Sequence, residues 1–147
     1  MSATSDLDFI LLYDAPKGSD GSDGKRPLET PHYFTRLTQR LVAALSAPTA
    51  EGVLYETDMR LRPSGNAGPL ATSFKGFDRY QHKEAWTWEH MALSRARVVF
   101  SDGGLGDRIH GVISDALNAS RDKQKLVDDV WDMRGRIEKD RQAKSVW

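Results

Sequence analysis

Cysteine is absent from the 147 residues, which removes disulfide staples, thiolate nucleophiles and Cys-ligated zinc together. A surplus of either charge is absent too, since 21 Lys and Arg balance 21 Asp and Glu. A dedicated nucleic-acid binder needs a basic excess to meet phosphates, so no nucleic-acid partner is expected. Long apolar runs are also missing. None exceeds five residues, well short of the roughly 20 that cross a bilayer or the about 7–15 of a secretory signal core. No membrane association is expected, and the cytoplasm is the expected location. What remains is 39% hydrophobic and 29% charged residues. That mixture suits a small globular domain with a large surface and is too apolar for a disordered chain.

The segment Asp8–Asp14 (DFILLYD) reads as a short buried strand, apolar on both sides as in a covered sheet. Ala15–Glu29 is rich in Gly, Ser, Asp and Pro and reads as a surface loop. An EF-hand is excluded there, because counting from Asp20 puts Lys25 where the calcium loop needs glycine. Thr30-Pro31 suits the start of a helix, with Thr30 as its cap. Phe34, Leu37, Leu41 and Leu45 would form its packing stripe, and Pro48 would end it. Gly52–Arg62 alternates as a strand should, with Val53, Tyr55, Thr57, Met59 and Leu61 on one side. Its other side carries Glu56, Asp58, Arg60 and Arg62, either as a solvated face or as the polar floor of a ligand site. A turn-rich loop, Pro63–Pro69, follows. Ser73 then caps a helix expected to run to about Arg95, with Trp86 and Trp88 in the core or at a domain contact. Val98–Phe100 is a short strand or the helix exit. Two more helices follow, the first with Ile109, Val112, Ile113, Ala116 and Leu117 on one stripe. The second is densely charged, with a narrow stripe of Leu126, Val130, Met133 and Ile137.

Asp6 and Asp8 lie two apart and would project from one face of a strand. Both are ionised at neutral pH unless buried, and adjacent anions favour a divalent cation between them. If the first strand neighbours the second, Asp58 joins them, and three carboxylates converge as in two-metal phosphoryl-transfer sites. Arg60 and Arg62 would share that face, in a form matched to phosphate. Ser64 and Gly65 follow, and such small residues let backbone N–H groups approach an anion. The four histidines, at 32, 82, 90 and 110, have no metal-site spacing. No P-loop or dinucleotide-binding glycine pattern occurs.

Three stretches carry a resemblance: SDLDFILLYD, LYETDMRLRPSGNAGPLATSF and RYQHKEAWTWEHMALSRARVV. They resemble the glutamate–ammonia-ligase adenylyltransferase family, within the DNA-polymerase-β-like nucleotidyltransferases. The family couples Ser-Asp-x-Asp to a later Asp-x-Arg-Leu-Arg-Pro-Ser-Gly, matched here at 5–8 and 58–65. The second motif is the specific one. The resemblance implies an α+β core, a small mixed sheet flanked by helices, in residues 1–100. Residues 101–147 would begin a longer helical region. It implies a nitrogen-regulating enzyme that transfers AMP from ATP to a tyrosine of glutamine synthetase, with Mg²⁺ held by Asp6, Asp8 and Asp58. Ser5, Arg60, Arg62, Ser64 and Gly65 would meet the nucleotide. The arginines either neutralise phosphate or pair with the acids, and Ser5 either bonds a phosphate oxygen or caps the backbone. In the whole enzyme the PII signal protein is a further implied partner. The family has an attaching and a removing half, and Glu84–His90 (EAWTWEH) resembles the attaching one. The removing half, acting by phosphorolysis, and a silent protein-binding fragment are the alternatives. Thr4 stands where the superfamily has glycine, and the chain is expected to be a piece cut from a larger enzyme, truncated before its first strand.

Overall fold

A computed structural model describes residues 6–16, 18, 19, 21–52 and 55–144. The class is α+β, as the sequence implies. The chain divides into two compact units, residues 1–80 and 81–147.

The first unit is organised by one extended segment, which contributes β1 (Leu7–Asp8) and β2 (Leu11–Tyr13). β1 pairs in parallel with β3 (Thr57–Asp58), and β2 pairs in parallel with β4 (Ala71–Ser73). Parallel pairing needs a crossover, and helix α1 (Thr30–Leu45) lies within it. Leu7 and Leu11 are four positions apart, whereas their partners Thr57 and Ala71 are fourteen apart. Ten residues of the second strand are therefore looped out between β3 and β4.

α1 packs on β4, with the Phe34 ring stacked on Tyr13 at 4.3 Å. Its buried side differs from the expected leucine stripe. Leu37, Leu41 and Leu45 are exposed, and Thr38 is fully buried. Residues 34, 38 and 42 lie one turn apart and define the packed side. A threonine is tolerated there because its hydroxyl donates to the Phe34 carbonyl at 2.8 Å. The helix cap also differs. Glu29 occupies the cap position with no side-chain bond, and the Thr30 hydroxyl donates instead to the Ser19 carbonyl.

Ser73 does cap α2 (Phe74–Lys83), its Oγ accepting the Gly76 N–H at 3.2 Å. The long helix expected from 73 to 95 is two helices. A break at residues 84–86 precedes α3 (Thr87–Leu93), where Glu89 accepts the Trp86 N–H at 2.9 Å. That bond reproduces half of a capping box, the signal that restarts a helix. Trp86, expected to be packed, is 67% exposed, and Trp88 is exposed too. Val98–Phe100 is neither strand nor helix.

In the second unit, α3 contacts both α4 (Leu105–Asn118) and α5 (Lys123–Lys144). The α4 stripe is as expected, with Ile109, Val112 and Ala116 buried. His90 of α3 donates through Nε2 to the Gln81 carbonyl at 3.0 Å, and its Nδ1 accepts from Arg121 at 3.3 Å. Arg121 also donates to the carbonyls of Ala116 and Leu117 and so closes the end of α4. No helix among the described residues is long and apolar enough to cross a membrane.

Candidate active site

The ladder between β1 and β3 places Asp8 opposite Asp58. Phe9 N–H donates to the Asp58 carbonyl at 3.0 Å, and Leu7 N–H to that of Glu56 at 2.7 Å. Partners in parallel register project to the same face of a sheet, so the two carboxylates are neighbours. Asp6 is exposed at the entry to β1. Ser5, Val53 and Leu54 lie outside the described residues.

The chain leaves the ladder directly after Asp58, and Asp58 itself is the cause. Its Oδ1 accepts the Arg60 N–H at 2.7 Å, an Asx turn that supplies the bond a continuing strand would have taken from a neighbour. The alternation expected to run to Arg62 therefore stops at residue 58. Arg60 folds back over the turn. Its Nε donates to Asp58 Oδ2 at 2.6 Å, and Nη2 completes the ion pair. The Asp58 side chain is 13% exposed and that of Arg60 71%.

These contacts set the charge state of the site. The Arg60 side-chain bond, then its backbone N–H, hold the Asp58 carboxyl below the ordinary carboxylate range; the charges of Arg60 and Arg62 add to this, and partial burial opposes it. The Arg60 guanidinium is held more firmly protonated than usual by its bond to Asp58. Asp58, Asp6 and Asp8 all contribute charge to that effect. One cation thus feels the charge of all three aspartates.

Hard carboxylate oxygens are the donors magnesium takes, and a positive group already sits among them. The residues fit such an ion in donor type and charge. Among the described residues, however, no three acidic or imidazole side chains are gathered closely enough to hold a metal; Asp58 is turned onto Arg60 instead. Elsewhere, a cleft of about 360 Å³ is lined by Gln39, Val42, Ala43, Thr57, Met59 and Leu70. Thr57 projects to the opposite side of β3 from Asp58, so this cleft is separate from the acids.

Arg62 does not share the face of Asp58. It is 7% exposed, and it donates through Nη1 to the Met59 carbonyl at 2.8 Å and through Nε to the Gly68 carbonyl at 3.4 Å. The strand ends before residue 60, and the intervening turn carries this side chain inward. Ser64 is exposed with φ 62°, and Gly65 follows with φ 52°. A non-glycine residue in that region is uncommon. Both stand in the looped-out segment a few residues beyond Asp58.

A family model described as glutamate-ammonia ligase adenylyltransferase matches residues 1–111. The chain belongs to that family. Similar proteins include the bifunctional glutamine synthetase adenylyltransferase/adenylyl-removing enzymes of Mesorhizobium japonicum, at 53% identity, and of Agrobacterium fabrum and Brucella suis, each at 54%. Each alignment covers the whole of this chain and 15% of the relative. The chain therefore spans about 15% of the length of the family members it matches.

Sequence reasoning missed Gly68 and the inward position of Arg62. A Cβ at Gly68 would stand 2.0 Å from the Pro63 carbonyl oxygen, so the loop closes on itself there. The signal was present in the Pro and Gly spacing of Pro63–Pro69, but which groups close together depends on the path of the backbone.

Proposed function

We propose that this chain carries the catalytic acids of a nucleotidyl transfer in which AMP passes from ATP to a tyrosine of glutamine synthetase. The reading rests on the register that sets Asp8 beside Asp58, with Arg60 responding to both and to Asp6. Asp6, Asp8 and Asp58 would hold magnesium, which when bound offsets the repulsion between triphosphate and carboxylates. Arg60 is exposed and paired to Asp58, so its planar fork can exchange a carboxylate for a phosphate. Ser64 and Gly65 offer a hydroxyl and a close backbone approach to the same anion. In the transfer, the phenolic oxygen bonds to the α-phosphorus while the bond from that phosphorus to the bridging oxygen breaks. Pyrophosphate leaves and the phenolic proton is released. Asp58 would stand next to the attacking oxygen. Glu84–His90 supports assigning the attaching rather than the removing activity.

Titration with MgATP tests this. Wild type should bind, and Asp6→Asn and Asp8→Asn should each lose at least tenfold. Equal binding by all three would overturn the metal assignment. Mass spectrometry of glutamine synthetase after incubation separates the activities: AMP gained supports attachment, and AMP lost in the presence of phosphate supports removal.

A further inference from the structure

The residues between β3 and β4 form a loop with a neck. Met59 is the first residue after β3, and Gly68 lies shortly before β4. The Arg62 guanidinium bonds the carbonyls of both. Four backbone bonds shape the interior: Arg62 N–H to the Met59 carbonyl, Gly65 N–H to that of Arg62 at 2.8 Å, Ala67 N–H to that of Ser64 at 3.1 Å, and Gly68 N–H to that of Gly65 at 3.1 Å. Pro63 is buried, and its carbonyl lies where a Gly68 Cβ would be. A buried cation must be bonded or it is costly, and here its partners are neutral backbone oxygens at the two ends of one loop.

We propose that Arg62 is a positioning residue: it ties the neck of the 59–68 loop, and so fixes the backbone of Ser64 and Gly65 in the segment that follows Asp58, without itself touching the nucleotide. This deepens the nucleotidyl-transfer reading and rests on it. Five donors in a flat fork let one arginine reach two carbonyls. A lysine keeps the charge but offers a single compact ammonium, which cannot span both positions. Charge alone is therefore not what the position requires.

The test is amide hydrogen exchange on the full chain without nucleotide, comparing wild type with Arg62→Met and Arg62→Lys. Bonds to a charged donor are worth enough that their loss should speed exchange at Gly65 and Gly68 by roughly 10- to 100-fold. Amides of α1, in the same unit as the loop, should keep their rates, which shows that this unit of the variants is folded. MgATP titration of the same proteins should show weaker binding in both variants, with lysine failing to restore it. Unchanged loop exchange in Arg62→Met would overturn the proposal, as would Arg62→Lys binding MgATP like wild type. If Arg62→Met does not fold, Arg62→Lys alone decides. Should wild type itself fail to bind MgATP, the nucleotidyl-transfer reading fails, and the exchange rates still report whether Arg62 ties the loop.

Discussion

Replacing Gly68 with alanine adds one methyl group and no charge, and it probes the loop that carries Ser64 and Gly65. The new Cβ would lie 2.0 Å from the Pro63 carbonyl oxygen, where carbon–oxygen contacts normally begin near about 3.3 Å. The two backbone segments must then part by more than about 1 Å. Torsion offers no explanation for any loss, because Gly68 has φ −84° and ψ 164°, which alanine adopts freely. The obstructing atom is backbone on a buried proline, so it cannot rotate aside. Overpacking of this kind costs about 1–3 kcal/mol, and the rigid obstacle argues for the upper half. At about 3 °C per kcal/mol for a chain of this size, thermal unfolding should fall by about 6–9 °C. Gly111→Ala is the matched control. It makes the same chemical change in α4, where a Cβ meets nothing within 4 Å, and alanine is preferred over glycine in a helix by up to about 1 kcal/mol. Its Tm should hold or rise. Differential scanning calorimetry of the three proteins gives the answer. A Gly68→Ala protein melting with or above wild type would refute the closed-loop geometry, and with it the reason given for Arg62 being buried.

Two further outcomes follow from the packing and the charges. Asp58 has a folded-state carboxyl depressed by Arg60, so its stabilising contribution is complete above the unfolded value of about 3.9 and is lost as pH falls through the folded one. Arg60→Met should return the Asp58 titration toward the ordinary range, read by carboxyl NMR, and should flatten the loss of stability below about pH 4; an unmoved titration would discount the ion pair. Phe77 is 2% exposed, so Phe77→Ala should destabilise by about 3–5 kcal/mol in urea unfolding, and a loss under about 1 kcal/mol would show that its surroundings are not packed.

Much of the site could be read from residue order because its signals are local. Asp6 and Asp8 lie two apart, Ser73 precedes a helix it caps, and Asp58–Gly65 is a continuous motif whose residues stay close however the chain folds. Signals of this kind depend on bond lengths and periodicity alone. The α4 stripe was legible for the same reason, and Ile109, Val112 and Ala116 are buried as its spacing requires.

The sequence by itself determined the α+β class, the acidic pair, the specific second motif and the family to which these belong. Only the tertiary structure decided that Asp58 stands opposite Asp8, because register between strands some 50 residues apart depends on the crossover through α1. It also decided which side of α1 is covered: Thr38 is buried while the more apolar Leu37, Leu41 and Leu45 face outward, since burial follows the position of the sheet and not hydrophobicity alone. The two arginines separate for a similar reason. Alternation assigns Arg60 and Arg62 to one face, but the Asx turn at Asp58 ends the strand between them, leaving one beside the acids and the other inside the loop.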